Sequence, residues 1–214
     1  MREPLTPPYF LVALPQMDDE LFSKTVVLLT NHDPNGAYGI ILNKPLLDEE
    51  ESASAQMKAE IKDPDGNVIL EFNEDLYQGG PVHNESVFVL HDVSAVAVSE
   101  TKIANEELFL TSDPQAFGPV LESTKQGSHH KRFFLGTCAW LPGQLEAEMR
   151  SGAWILIPLK KEFLFESITH EVGGEIDVVD RKKWQEEFWK KVLRSGGLDP
   201  LTLRSQGSAD SGPN

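Results

Sequence analysis

Residues 10–46 read FLVALPQMDDELFSKTVVLLTNHDPNGAYGIILNKPL, and this stretch decides the fold. Its apolar segments at 10–14 (FLVAL), 25–30 (TVVLLT) and 38–43 (YGIILN) are short, which predicts three buried strands. The tetrapeptide DPNG at 33–36 predicts a turn, because proline presets φ and Asn-Gly accepts positive φ. The second and third segments therefore form a predicted β-hairpin.

The segment that follows, residues 48–75, is strongly acidic. It carries ten Asp or Glu residues and only two Lys residues. Helix-forming residues over 52–61 predict an exposed helix, and the DPDG sequence at 63–66 ends it and leads into a loop. We expect this acidic segment to meet a basic partner, or the basic last helix of a second copy of the chain.

Farther along the chain, short strands continue to outnumber helices. Apolar runs predict strands at 86–90, 133–137 and 154–158, the last in the centre of the sheet, and a long amphipathic helix over 180–193. Regular βαβ alternation is absent, so the sequence predicts an α+β single domain with a mainly antiparallel sheet. That domain spans 1–195, and the Gly-, Ser- and Pro-rich residues 196–214 predict a disordered tail.

Composition excludes several classes of protein. The chain of 214 residues has a formal net charge of −15, which argues against general binding of nucleic acid or of anionic membrane. One cysteine forms no internal disulfide, and no apolar stretch predicts a signal peptide or a membrane span. We therefore expect a cytoplasmic protein with no membrane partner.

Catalytic and cofactor motifs are weak in this sequence. No phosphate-binding glycine loop and no zinc-type His or Cys spacing is present, so we expect no cofactor and no metal. Cys138 lies between a predicted strand and a helix that begins near Pro142, where a helix N-terminus would lower a thiol pKa. A thiol enzyme using Cys138 is therefore one hypothesis, and a small buried hydrophobic residue is the other.

The last helix carries the one basic patch of the sequence. It supports the alternative of a transcriptional regulator that contacts DNA through residues 181–194, although a solvated outer face explains the same pattern. The basic residues are Arg181, Lys182, Lys183, Lys190, Lys191 and Arg194.

Three separated blocks resemble one known family. The sequence is similar to the YqgE/AlgH family, also called UPF0301 or DUF179, in the opening stretch, in the GGPV block at 79–82 with FVLH at 88–91, and in the segment 136–158. In the opening block the matching residues are Met17, Asp18, Phe22, Gly36, Gly39, Asn43, Lys44 and Pro45.

The resemblance implies an architecture more than an activity. It implies a bifurcated, partly barrel-like sheet flanked by helices, with no established enzyme activity and no assigned catalytic residues. Some family members carry the label of transcriptional regulator. Thr137-Cys138-Ala139 departs from the family pattern of an aromatic, a small residue and a glycine, which puts a catalytic thiol in doubt.

These observations favour a non-enzymatic binding or regulatory protein, with a protein or a small molecule as its partner. A candidate binding cleft is formed by motif residues that lie between predicted strands, although turn geometry, capping and packing explain the same residues. They are Asn43, Lys44, Gly79, Gly80, Trp140 and Gln144.

Overall fold

A computed structural model gives the fold of the chain. It describes residues 8–46, 56–62, 68–96, 101–103, 107–125, 127, 129–166 and 178–207. Within these ranges the protein is an α+β single domain built on a mostly antiparallel sheet. Among the described helices, none combines the length and apolarity that crossing a bilayer requires.

The opening stretch forms three antiparallel strands, as its pattern predicts. Strand β1 spans Tyr9–Ala13, β2 spans Val26–Asp33 and β3 spans Gly36–Ile41. The β2–β3 turn falls at DPNG, where Asp33 pairs with Gly36 and Asp33 Oδ1 accepts the Asn35 N–H at 2.7 Å. Strand β1 is buried on both faces, because its alternate residues enter two separate apolar clusters.

The remaining strands extend this sheet without closing it. Among the described strands, one path runs β10-β1-β2-β3-β9-β6-β8-β7, and β4 and β5 branch from it at β9. The strands are β4 Gln56–Lys62, β5 Val68–Gln78, β6 Val82–His91, β7 Thr101–Lys102, β8 Phe109–Thr111, β9 Lys131–Trp140 and β10 Trp154–Pro158.

The sheet is bifurcated at β9. On one side β9 pairs with β6, antiparallel, between Lys131 and Thr137. On the other side its neighbour changes: β5 runs parallel to residues 133–135, and β3 runs antiparallel to residues 138–140. This change of neighbour confirms the bifurcated sheet that the resemblance implies.

Within the described ranges four α-helices flank the sheet, and the longest of them, α3, supplies much of the core. The helices are α1 Pro114–Lys125, α2 Gln144–Arg150, α3 Val178–Ser195 and α4 Pro200–Gly207. In α3, Phe188, Trp189 and Val192 are buried on one face, as helical spacing predicts. Trp189 also donates its indole N–H to the Ala13 carbonyl at 2.7 Å, which joins α3 to β1.

Three sequence expectations are corrected. Residues 56–61 of the predicted helix form strand β4, because the alternation of Met57, Ala59 and Ile61 has the period of a strand; residues 52–55 lie outside the described residues. Strand β10 lies at the end of the described path rather than at its centre.

The predicted C-terminal tail is also partly wrong. Residues 200–207 form helix α4, and Leu198 and Leu203 pack against the main core cluster. The apolar Leu residues of the segment therefore outweigh its Gly and Ser content. Residues 208–214 lie outside the described residues.

Candidate functional site

Asn43 is a buried structural link. Its Oδ1 accepts the Val26 N–H at 2.8 Å, and its Nδ2 donates to the carbonyls of Lys24 at 2.9 Å and Gln185 at 3.0 Å. Lys24 has a φ of 55°, a region that non-glycine residues rarely occupy. All polar atoms of the amide are used inside the chain, so Asn43 presents no group to a ligand.

Lys44 stabilises the loop between β1 and β2. Its Nζ donates to the carbonyls of Glu20 at 3.1 Å and Leu21 at 2.9 Å. Asp19 Oδ1 accepts the N–H groups of Leu21 and Phe22 within the same loop. Burial lowers the pKa of Lys44, and the negative charges of Asp19 and Glu20 oppose that shift.

Gly79 and Gly80 follow β5 and lie directly against β9. A Cβ on Gly79 would overlap the carbonyl oxygen of Gly136, and a Cβ on Gly80 would overlap that of Thr137. The Gly79 carbonyl accepts the Ile41 N–H at 2.8 Å. The glycine pair therefore permits close backbone approach at the point where the sheet divides.

Trp140 and Gln144 meet at a carboxylate that the sequence did not single out. Glu148 Oε2 accepts the indole N–H groups of Trp140 at 2.8 Å and Trp154 at 2.7 Å. Glu148 Oε1 accepts the Gln144 amide at 2.8 Å. One carboxylate thus fastens α2 to both β9 and β10. The four-residue step from Gln144 to Glu148 is the signal that could have revealed it.

A second polar contact holds α2 against the β2–β3 hairpin. His32, which is buried, faces Glu146 with Nε2 and Oε1 2.8 Å apart. The pKa of Glu146 lies below its ordinary value, first because its carboxylate accepts its own backbone N–H and further because His32 faces it. No local motif marks His32, since the pair arises only from tertiary packing.

The six residues of the predicted cleft fall into three pairs, and each pair contacts a different part of the fold. Asn43 and Lys44 contact the β1–β2 loop and α3, the two glycines contact β9, and Trp140 and Gln144 contact Glu148. These contacts give the six residues structural roles. In the described part of the chain, no group of three or more His, Cys, Asp or Glu side chains is arranged to hold a metal ion.

Cys138 lies inside β9 rather than at a strand–helix junction. It pairs with Gly39 of β3, it is buried, and its Sγ lies 3.4 Å from the Gly79 carbonyl. Burial raises the pKa of the thiol far above its ordinary value. The predicted activation by a helix N-terminus is therefore wrong, and the side chain is a packing residue.

The basic residues of α3 differ in their surroundings. Lys190 contacts Glu186 at 2.9 Å and Glu187 at 3.0 Å, and Lys191 contacts Glu166 at 2.7 Å. Lys182, Lys183 and Arg194 are exposed, and the side chain of Arg181 lies outside the described residues.

Two large apolar side chains stand out on the surface near α2. Tyr38 is 50% exposed in β3, and Leu141 is 75% exposed directly after β9. Tyr38 is the cross-strand partner of Ala139, and Leu141 follows Ala139 by two positions. Tyr38 and Ala139 therefore share one face of the sheet, and these two residues with the exposed Leu141 just beyond β9 are here called the Tyr38–Leu141 surface.

The fold and this arrangement define a class of small α+β proteins with a branched, open sheet. The sequence pattern of the AlgH-like family matches residues 10–201. This chain belongs to that family, also named UPF0301 or DUF179.

Similar proteins include named UPF0301 members, and solved structures share the fold. A UPF0301 protein of Shewanella sp. strain ANA-3 is 30% identical over 200 residues, covering 92% of this chain and 95% of the relative. One from Methylococcus capsulatus is 34% identical over 201 residues, covering 92% and 93%. The solution structure of the AlgH protein from Pseudomonas aeruginosa covers 100% of both chains, with a TM-score of 0.58 and 22% identity. A crystal structure from Corynebacterium diphtheriae covers 95% of this chain and 93% of its own, with a TM-score of 0.59 and 23% identity.

Proposed function

We propose that this chain is a cytoplasmic, non-enzymatic binding protein that takes a protein partner on the Tyr38–Leu141 surface. The observation that carries the proposal is the exposure of two large apolar side chains, Tyr38 in β3 and Leu141 directly after β9. Tyrosine is enriched among the residues that dominate interface energies, because it combines a large apolar area with a hydroxyl group.

The backbone beneath this surface is held in place before any partner arrives. The Leu141 N–H donates to Gln144 Oε1 at 3.0 Å, and the Gln144 N–H donates to the Leu141 carbonyl at 3.0 Å. Gln144 is itself bonded to Glu148. Little conformational entropy is therefore lost on binding, which favours affinity. In this proposal Trp140 and Gln144 do not contact the partner. They hold the backbone around Leu141 in place through Glu148.

The experiment compares single alanine variants of the surface with a matched control. A partner captured from the native cell is first identified and purified, and its Kd is then measured by calorimetry. We expect Tyr38→Ala and Leu141→Ala each to weaken binding about tenfold or more, which corresponds to about 1.4 kcal/mol. Leu201→Ala is the control, because Leu201 is 72% exposed in α4. Equal affinities for all three variants and the wild type would contradict the proposal.

A DNA-binding regulator is the second candidate, and exposed Lys182 and Lys183 favour it. The other two lysines of α3 already contact glutamates, which lowers their capacity to bind phosphate. If α3 binds DNA, Lys182→Glu with Lys183→Glu abolishes binding, and affinity falls steeply with salt. Affinity that does not change with salt, or no binding at low salt, excludes this candidate.

A further inference from the structure

Strand β9 carries a buried guanidinium that neither the predicted cleft nor the Tyr38–Leu141 surface uses. Arg132 pairs with Leu90 of β6 through its backbone, and the residue is only 5% exposed. Its Cζ lies 4.0 Å from the centre of the Tyr77 ring and 5.3 Å from that of Phe134. The cation therefore lies against two aromatic faces in the interior of the protein.

The hydrogen bonds of this guanidinium are incomplete. Nη2 donates to the Leu42 carbonyl at 2.6 Å and Nη1 to the Leu164 carbonyl at 3.2 Å. Nε is buried and has no hydrogen-bond partner among the described residues. A guanidinium carries five N–H donors, and the Tyr77 side chain is a further hydrogen-bond partner, so Nε is the nitrogen left without an acceptor.

The charge of Arg132 also lacks a direct counter-ion in the described part of the chain. Its partners are two backbone carbonyls and the Tyr77 side chain, and Glu166, whose charge acts on Arg132, has its Oε2 2.7 Å from Lys191 Nζ. Burial lowers the pKa of Arg132, while Tyr77, Glu166 and Asp75 oppose that shift. A buried cation whose donors lack acceptors is strongly destabilising, so a structure that retains one is expected to compensate it.

We propose that the Nε edge of Arg132 binds a small oxyanion, a carboxylate or a phosphate group. The unsatisfied Nε–H and the neighbouring Nη–H point the same way along one edge of the guanidinium, and this planar fork matches two oxygens of such a group. The aromatic face of Tyr77 restricts the guanidinium plane and fixes the direction of the fork. A bound oxyanion supplies both the missing acceptor and the missing negative charge.

The covering segment gives this site a route to solvent. Leu164 closes the site through its carbonyl, and the next residues, Phe165 and Glu166, are half-buried. Phe165 is held by stacking on the exposed His130 ring, with centroids 5.2 Å apart. Entry of a small anion requires Phe165 and Glu166 to move, while Leu164 stays in the main core cluster.

The test observes the Nε–H group directly. In ¹⁵N-labelled protein, the Arg132 Nε–H signal is assigned by its loss in Arg132→Lys. Inorganic phosphate and acetate are then titrated separately, with sodium chloride keeping the ionic strength constant. We expect at least one of the two to shift this signal in a saturable way, with a Kd in the millimolar range or below. The Nε–H signal of Arg150, an exposed residue of α2, is the internal control and stays unchanged.

A second measurement does not depend on assignment. The same anion raises the melting temperature of the wild type and of Arg150→Lys, but not that of Arg132→Lys, which keeps the charge and loses the fork. An Arg132 signal that neither anion moves, or that moves only linearly and together with Arg150, overturns the proposal. Those results would mean that water, and not an anion, accepts the hydrogen bond from Arg132 Nε–H.

Discussion

The side-chain amide of Asn43 donates to the carbonyl of Gln185, 3.0 Å away in space and 142 positions away in sequence. The same amide binds Val26 and Lys24, so one residue connects the β1–β2 loop, β2 and the interior of α3. This residue of the candidate cleft therefore joins the N-terminal strands to the last long helix.

Replacement of Asn43 should destabilise the protein strongly. Asn43→Ala removes three hydrogen bonds and leaves buried groups without partners, so we expect the free energy of unfolding to fall by about 3 kcal/mol. Urea denaturation monitored by circular dichroism measures the change. Asn31→Ala is the control, because Asn31 is exposed, and it should change stability by less than about 0.5 kcal/mol. A small effect at Asn43 would contradict its structural role.

Gly80 should tolerate no side chain. Gly80→Ala places a methyl group against the backbone of β9, which is paired on both sides and cannot yield without losing hydrogen bonds, so we expect the free energy of unfolding to fall by about 4 kcal/mol or more. Gly127→Ala is the matched control, because Gly127 has a φ of 74° but nothing within 4 Å of an added Cβ. That variant should cost only about 1 kcal/mol, from backbone conformation. Thermal melting measures the stability lost in both variants. Similar losses of stability would show that crowding at Gly80 is unimportant.

Loss of the Glu148 carboxylate should loosen α2 and change indole fluorescence. Glu148→Ala leaves the N–H groups of Trp140 and Trp154 without their acceptor, so we expect a loss of about 2–3 kcal/mol. A shift of the tryptophan emission to longer wavelength should accompany it. Glu122→Ala, at an exposed position in α1, should change neither quantity. An unchanged emission spectrum in the Glu148 variant would show that the indoles do not depend on this carboxylate.

Acid should weaken the attachment of α3 to the β1–β2 loop. Hydrogen bonds from Lys24 and then Lys190 lower the pKa of Glu186 from 4.5 to about 2. Because the folded-state pKa is depressed, this contribution to stability is complete above pH 4.5 and disappears as the pH falls toward 2. Glu186→Gln should therefore be less stable than the wild type at pH 7, and the difference should shrink across that window. Glu162→Gln, at an exposed position, serves as the control, and a difference independent of pH would refute this account.

The Cys138 thiol should react only when the protein unfolds. Burial raises its pKa, so the nucleophilic thiolate is scarce as well as inaccessible. We expect iodoacetamide to modify the native protein orders of magnitude more slowly than the protein in urea, as measured by mass spectrometry. Rapid alkylation of the native protein near neutral pH would restore the thiol-enzyme hypothesis.

Local sequence signals predicted those parts of the fold that local chemistry determines. Both the turn at DPNG and the apolar face of α3 depend on residues close together in sequence, and both were predicted correctly. The residues of that face are Trp184, Phe188 and Trp189. The segment at 56–61 was predicted wrongly because its residues suit both helix and strand, and its pairing with β5 decides between them.

The candidate residues were identified from the sequence, but their roles were not. Nothing near Asn43 indicates that its partner is Gln185, and nothing near Cys138 indicates that β3 will bury it. Arg132 looks like an ordinary basic residue at the start of a strand. Its burial depends on Leu42, Tyr77 and Leu164, which come from three distant parts of the chain.

The change of neighbour along β9 also dictates an order of assembly during synthesis. When the chain has emerged only as far as residue 130, β3, β5 and β6 are all present but lack the strand that joins them. Their unpaired edges remain exposed until residues 131–140 leave the ribosome, and such edges promote aggregation. A ribosome that stalls shortly before this point would therefore release a more hazardous nascent chain than one that stalls soon after it.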